Sequence, residues 1–292
     1  MLYSITHRTT YAYNTDASHS HHLAHLKPRA LPRQDVLDFT LRVDPGPSFI
    51  ADRSDYHGNA VTFFTMAAPH RRLAVFAQSR VLVHKPEWPI PAETPPWEDV
   101  RKKCSSDVLN EDSAEGEFCF DSPYISRSPI YAEYAARSFP AGRPLVEAVS
   151  EFTGRIFRDF KFDPRATTIA TPLGEVFEKK RGVCQDFAHL GIACLRSMGL
   201  PARYVSGYLE TIPPPGKARL VGADASHAWF SVWCPGFGWV DADPTNNMLA
   251  GERHITVAWG RDFSDVSPLR GVVVGGGRHV LSVGVDVARA KE

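Results

Sequence analysis

The pattern of hydrophobic and polar positions changes character along the 292-residue chain. Up to about residue 85, short segments such as Leu2–His7 and Phe39–Val43 alternate between apolar and polar residues, and turn residues such as Asp44–Pro47 separate them. Alternation with a period of two, interrupted by turns, is typical of β-strands. The pattern predicts a β-sandwich-like N-terminal domain over residues 1–85.

Residues 86–127 break this pattern. Five prolines between positions 86 and 96 predict a semi-rigid linker, and the polar segment from Val100 to Glu117 predicts a surface loop or a short helix. From Ser128 onward, apolar residues recur at helical spacing and then in alternating runs. We therefore predict an α+β core with C-terminal β-strands over residues 128–292.

The clearest predicted helix follows Cys184. Its apolar stripe repeats at helical spacing and ends at Gly199-Leu200-Pro201; its members are Phe187, Leu190, Gly191, Cys194, Leu195 and Met198. Strands are predicted after this helix, at Ala202–Leu209, Trp229–Trp233, Trp239–Asp243 and, around a turn at Gly275–Gly277, at Val272–Val287.

Charge and composition exclude several classes of function. The 33 basic and 33 acidic residues give no net charge, which argues against binding to nucleic acid or to an acidic membrane. Neither a secretory signal nor a membrane span is visible, and the five cysteines lack the spacing of a metal site. We expect a cytoplasmic protein with free thiols, without a metal or cofactor, that acts on a peptide or protein substrate.

Cys184 is the candidate nucleophile. It lies between a glycine turn and the first turn of the predicted helix, where unpaired N–H groups and the helix dipole favour a thiolate. Cys194, in contrast, lies on the apolar stripe and is predicted to be an inert core residue.

His227 and Asp243 are the candidate base and orienting carboxylate. If Trp233 pairs with Trp239, the residue numbers of paired positions sum to 472, and Asp243 lies diagonal to His227 on the same face of the hairpin. Pairing of Cys234 with Trp239 would instead place the two side chains on opposite faces. A Cys-His-Asp triad therefore requires a five-residue connection that begins at Cys234.

Each group then has a definite part in acyl transfer. Cys184 attacks a carbonyl, His227 takes and returns the proton, and Asp243 holds the imidazole ring and its tautomer. The backbone N–H of Cys184 is one predicted oxyanion donor, and Gln185 and Tyr208 are candidates for the second.

Four segments resemble the transglutaminase-like superfamily, in its branch of bacterial candidate cysteine proteases with a β-rich N-terminal domain. They are Gly182–Leu190, Gly199–Tyr208, His227–Trp229 and Gly238–Asn246. The resemblance implies a papain-like core and the same triad of Cys184, His227 and Asp243. Asp55–Asn59 and Gly260–Pro268 also resemble this branch. No calcium loop of the EF-hand type is present.

Hydrolysis of an amide or isopeptide bond is the predicted reaction, because water is always available and nothing in the sequence indicates an amine-acceptor site. A protein-glutamine transglutaminase and a catalytically silent peptide-binding module are the alternatives.

Other polar clusters have simpler explanations. The histidines at 19, 21, 22 and 25 lack a thiol or carboxylate at ligand spacing, which favours a polar loop. Asp262 and Asp265 are predicted to cap a helix or to pair with Arg261 and Arg270.

Overall fold

The computed structural model describes residues 1–107, 114–211 and 226–290. It confirms the predicted α+β class: a curled antiparallel sheet precedes a helical region packed on a second antiparallel sheet. None of the helices in the part of the chain that the structure describes combines the length and the hydropathy of a membrane span.

The first sheet has seven strands arranged around one long strand, β1. The strands are β1 (Leu2–Ala24), β2 (Gln34–Asp44), β3 (Phe49–Ser54), β4 (Ala60–Met66), β5 (His70–Val83), β13 (Leu269–Gly275) and β14 (His279–Arg289). The main order is β2-β5-β1-β4-β3, and β13 and β14 also pair with β1. The predicted C-terminal strands therefore exist, but they join the N-terminal sheet rather than the second one.

Of the strands outside the first sheet, β6 (Lys161–Phe162) and β7 (Arg181–Gly182) form a short parallel pair. The remaining five strands form the second, antiparallel sheet. The five are β8 (Ala202–Leu209), β9 (Ser226–Cys234), β10 (Gly238–Asp243), β11 (Met248–Leu249) and β12 (His254–Gly260), in the order β11-β10-β9-β8-β12. Six helices accompany these strands in the described residues: α1 (Trp97–Asp107), α2 (Pro129–Ala136), α3 (Leu145–Asp159), α4 (Leu173–Lys179), α5 (Cys184–Ser197) and α6 (Phe263–Val266).

The charged segment after the proline-rich stretch forms helix α1, which packs on the core. Trp97, Val100 and Cys104 are all buried, and their spacing of three and four residues defines one narrow apolar face. The prediction of a surface loop or short helix underestimated this element, because charged residues surround those three positions. Residues 108–113 of that prediction lie outside the described residues.

Helix α5 packs on β8 and β9 across a glycine. A Cβ atom at Gly191 would lie 2.6 Å from the ring of Phe230, so a larger residue would push the helix away from the sheet. Leu190, Cys194 and Leu195 of the predicted apolar stripe are fully buried, whereas Met198, the residue after α5, is only partly buried. Burial also raises the pKa of the Cys194 thiol, which fits its predicted role as an inert core residue.

Polar side chains tie the first sheet to the second. Arg33 donates to Asp241 at 2.6 Å, and Gln34 donates to the Thr256 carbonyl oxygen at 2.8 Å. Tyr3 and Ile5 of β1 belong to the same apolar core as α5. The N-terminal sheet therefore supports the strand, β10, that ends at Asp243.

The two aspartates after β12 take the roles that the sequence predicted. Asp262 accepts a hydrogen bond from the backbone N–H of Ser264 at 2.8 Å and caps α6. Asp265 forms two hydrogen bonds of 2.9 Å with the guanidinium group of Arg261.

Candidate active site

The β9–β10 hairpin has the register that the triad hypothesis requires. Trp233 pairs with Trp239, and Cys234 pairs with Gly238 across the predicted five-residue connection. Gly236 and Gly238 have φ angles of 83° and 81°, a left-handed conformation that glycine adopts without strain. This turn places His227 and Asp243 on one face of the sheet.

His227 and Asp243 are in direct contact. Nε2 of His227 lies 2.7 Å from Oδ2 of Asp243, the side chain of Asp243 is fully buried, and that of His227 is 10% exposed. Because Nε2 faces the carboxylate, Nδ1 is the ring nitrogen left for a second partner.

Cys184 supplies that second partner from the start of α5. It is the first residue of the helix, is partly buried, and lies close enough to His227 to affect the pKa of the ring. Burial lowers the pKa of His227, but hydrogen bonds with Asp243 and Cys184 and their charges outweigh burial and raise it to about 10. The charged form of the His227 ring is therefore favoured at this position.

The turn before Cys184 is shaped by a buried carboxylate. Asp186 accepts hydrogen bonds from the backbone N–H of Val183 at 2.8 Å and from the Thr167 hydroxyl at 2.6 Å. A Cβ atom at Gly182 would lie 2.6 Å from Oδ2 of Asp186, so glycine is needed there for the carboxylate to fold back. Asp186 thus closes the first turn and fixes the backbone N–H groups around Cys184.

The carboxylate of Asp243 is surrounded by donors. Oδ1 accepts the backbone N–H groups of Thr245 at 2.9 Å and Asn246 at 3.3 Å, and Oδ2 also accepts Nδ2 of Asn246 at 2.7 Å. Burial raises the pKa of Asp243, but hydrogen bonds from His227 and His254 and their charges lower it well below its usual range. Asp243 therefore stays ionised despite its burial.

His254 contacts the same carboxylate, and the sequence reasoning missed it. Its Nε2 lies 3.1 Å from Oδ2 of Asp243, and its side chain has no exposed surface. The backbone N–H of Gly251 donates to Nδ1 of His254 at 3.0 Å, so the proton of the neutral ring lies on Nε2. Burial lowers the pKa of His254 although Asp243 opposes this effect.

The ligand atoms of His227, Asp243 and His254 lie within 4.8 Å of one another, a distance that suits a metal ion. The hydrogen bonds oppose that role, because Nε2 of His254 carries a proton and points at the carboxylate. A metal would need the lone pair of that nitrogen. The donor set of these three residues fits a hydrogen-bonded imidazole–carboxylate–imidazole arrangement better than a metal centre.

The two candidates for the second oxyanion donor lie in different surroundings. Gln185 is half-buried and lines a cavity of about 510 Å³ together with Asp186 and His189. The Tyr208 hydroxyl lies 2.9 Å from Nδ1 of His7 on β1 and so already has a partner.

Tyr204 is a residue near the thiol that the sequence reasoning did not single out. It is buried on β8, and burial followed by the charge of Cys184 raises its pKa well above the usual value. Its position four residues before Tyr208 on the same strand face was the available signal.

Fold and site together define a class: α+β proteins in which a cysteine at a helix start meets a histidine and an aspartate of an antiparallel sheet. Residues 3–82 match the family described as the bacterial transglutaminase-like N-terminal region, and residues 133–244 match the transglutaminase-like superfamily. The chain belongs to the transglutaminase-like superfamily, as the resemblance of its motifs predicted.

Several proteins are similar over most of the chain. An uncharacterized protein of Mycobacterium tuberculosis (strain H37Rv) is 42% identical over 98% of this chain and 92% of its own length. An uncharacterized protein of Mycobacterium leprae is 33% identical over 98% of both chains. The crystal structure of a candidate cysteine protease from Cytophaga hutchinsonii covers 100% of this chain and 91% of its own, with a TM-score of 0.77 and 22% identity. That likeness shows the shared fold.

One similar protein has a named activity. The protein-glutamine gamma-glutamyltransferase of Pseudomonas aeruginosa is 33% identical over 106 residues, which cover 34% of this chain and 16% of that protein.

Proposed function

We propose that the protein is a cysteine-dependent acyl-transfer enzyme that hydrolyses an amide or isopeptide bond of a peptide or protein. One observation carries the proposal: a single imidazole, His227, contacts Asp243 through Nε2 and also interacts with the helix-start thiol of Cys184. This is the arrangement that activates a thiol as a nucleophile. None of the five cysteines, all of which lie in the described residues, forms a disulfide, which suits a reducing compartment such as the cytoplasm.

The first half-reaction forms a thioester. The Sγ thiolate of Cys184 attacks the carbonyl carbon of the substrate, and the carbonyl oxygen becomes an oxyanion. His227, already an imidazolium, gives its Nδ1 proton to the nitrogen of the leaving amine as the C–N bond breaks. The acyl group is then bound to Sγ, and His227 is neutral.

The second half-reaction returns the enzyme to its starting state. Neutral His227 takes a proton from a water molecule as the water oxygen attacks the thioester carbonyl. The C–S bond breaks, the carboxylic acid leaves, and the thiolate–imidazolium pair forms again. Asp243 keeps the ring aligned through both steps because its own hydrogen bonds hold it in place.

Two donors are proposed for the oxyanion. The first is the backbone N–H of Cys184, which lies at the positive end of α5. For the second we take the Tyr204 hydroxyl, because it is buried, protonated and close enough to Cys184 for the charge of the thiol to affect it. Tyr208 is the weaker candidate because its hydroxyl already contacts His7.

A transglutaminase is the second candidate, and one observation favours it. The local similarity to a protein-glutamine gamma-glutamyltransferase covers about a third of the chain. The chemistry differs only in the last step, where a primary amine instead of water attacks the thioester. The silent binding-module alternative is disfavoured because all three triad residues are present and His227 is in contact with both of its partners.

Mass spectrometry of a treated protein substrate separates the two reactions. Casein is incubated with the enzyme and a fluorescent primary amine. New peptide ends or free carboxylates indicate hydrolysis, and covalent fluorescence indicates transamidation. The matched control is Cys184→Ala, which should give neither product.

Labelling with a thiol-directed electrophile tests the nucleophile without a known substrate. Cys184 should react before the buried thiols of Cys119 and Cys194, whose pKa values are raised by burial. Labelling of either of these two at the rate of Cys184 in the folded protein would contradict the proposal.

A further inference from the structure

We propose that His254 is a positioning residue of the triad: its Nε2–H group holds the Asp243 carboxylate and sets how firmly His227 retains its proton. The inference rests on the proposed function, and it adds a fourth side chain to the three predicted from sequence. It is carried by the hydrogen-bond geometry around a fully buried imidazole.

The direction of the hydrogen bonds fixes the tautomer. An N–H group can donate only to a lone pair, so the Gly251 N–H at 3.0 Å requires an unprotonated Nδ1 on His254. The proton of the neutral ring must then lie on Nε2, where Oδ2 of Asp243 accepts it at 3.1 Å. Both ring nitrogens have partners, and reversing the tautomer would break both hydrogen bonds.

Packing holds the ring in this orientation. Trp229 meets His254 edge to face, with ring centroids 5.2 Å apart. Trp229 can reach across β8 only because position 207 is glycine: a Cβ atom there would lie 2.5 Å from the indole. This contact keeps Nε2 of His254 directed at the carboxylate of Asp243.

His254 competes with His227 for the same oxygen. Oδ2 of Asp243 accepts from His227 at 2.7 Å, from Asn246 at 2.7 Å and from His254 at 3.1 Å. Each donor stabilises the negative charge, and a carboxylate with more donors attracts any one proton less. His254 therefore keeps Asp243 ionised and moderates how strongly Asp243 stabilises the His227 imidazolium. The imidazolium must become neutral when its Nδ1 proton passes to the leaving amine.

The titratable groups around the two histidine rings support this role of His254. The titratable groups that face His227 are Cys184 on α5, Asp243 on β10 and His254 on β12. Those that act on His254 are Asp243, His227 and Arg33, and Arg33 is paired with Asp241. Asp243 is thus the one carboxylate that accepts from either ring among the described residues.

The test compares two substitutions that differ in one donor. His254→Gln places an amide N–H near the position of Nε2, whereas His254→Leu fills similar space without a donor. Both are made in a Cys184→Ala background, where loss of the thiol removes one cause of the high His227 pKa and brings its titration into an accessible range. His22→Leu is the control, because His22 is another buried histidine, bonded to Ser20 in the first sheet.

Nuclear magnetic resonance of ¹⁵N-labelled histidine gives the readout. We expect His254 to be a single neutral tautomer with its proton on Nε2 across the physiological pH range. The midpoint of His227 titration should rise in His254→Leu and stay near the parent value in His254→Gln and His22→Leu. A merely structural role of His254 would not separate the leucine and glutamine variants.

Two results would overturn the proposal: a His254 ring with an unprotonated Nε2, or a His227 midpoint in His254→Leu that is unchanged or lower. If His254→Leu fails to fold, the proposal is still tested by the tautomer of His254 and by the His227 titration midpoint in His254→Gln. These measurements are made on proteins that lack the Cys184 thiol, so their outcome does not depend on whether Cys184 is a nucleophile. That function fails separately if Cys184 of the unsubstituted protein is not an activated thiol.

Discussion

Replacing Asp243 with asparagine should remove a pH-dependent part of the stability of the protein. The pKa of His227 is raised from 6.5 to about 10. At about 1.4 kcal/mol for each pH unit, this difference corresponds to about 5 kcal/mol in favour of the protonated folded state. Asp243 and Cys184 share this effect, so we expect Asp243→Asn to lose roughly half of it, about 2–3 kcal/mol.

The sign of the pH dependence follows from the raised pKa. The folded protein binds the His227 proton more tightly than the unfolded chain, so the contribution is fully present below pH 6.5 and is lost as the pH rises through about 10. Asp243 has a lowered pKa, so its own contribution is present above the unfolded value for an aspartate and is lost in acid. The difference between wild type and variant should therefore be largest near pH 6 and shrink toward pH 10.

Urea unfolding at several pH values between 6 and 10 measures this difference. Asp16→Asn is the matched control, because Asp16 is 59% exposed and pairs with Arg71 at the surface. Its effect should be below about 1 kcal/mol and should not follow the titration of His227. A loss in Asp243→Asn that stays constant from pH 6 to pH 10 would refute the reasoning.

Two further substitutions test the oxyanion donor and the helix–sheet contact. Tyr204→Phe should lower the rate of thioester formation by about tenfold or more with little effect on folding, whereas Tyr208→Phe should not; equal rates in both variants would refute the assignment. Gly191→Ala should destabilise the protein by about 1–3 kcal/mol in urea unfolding, because the new Cβ atom would lie 2.6 Å from Phe230. Gly174→Ala, on α4 with nothing within 4 Å of the new atom, is its control, and a similar loss there would contradict the packing argument.

The geometry of the hairpin could be derived from the sequence because it depends on local rules. Side chains alternate along a strand, so the pairing of Trp233 with Trp239 was sufficient to place His227 and Asp243 on one face. The start of α5 was equally local, since a glycine turn and an apolar stripe define where the helix begins.

The features that the sequence did not reveal depend on contacts between distant segments. The C-terminal strands pair with β1 over separations of 245 to 286 residues, and alternation within a strand carries no information about its partner. His254 lies on β12, two strands away from β9, and its orientation depends on the glycine at position 207. Its own neighbours in sequence give no sign that it contacts Asp243.

Alkylation of Cys184 by iodoacetamide across pH, in wild type and in His227→Ala, tests the central claim most directly. A thiolate–imidazolium pair should give fast labelling below pH 7, because alkylation needs only the thiolate that the imidazolium stabilises. The rate of catalysis also needs the imidazolium as an acid, so that rate should be bell-shaped in pH. The fast reaction should collapse in His227→Ala. Slow labelling that rises steadily with pH and is the same in both proteins would contradict the account.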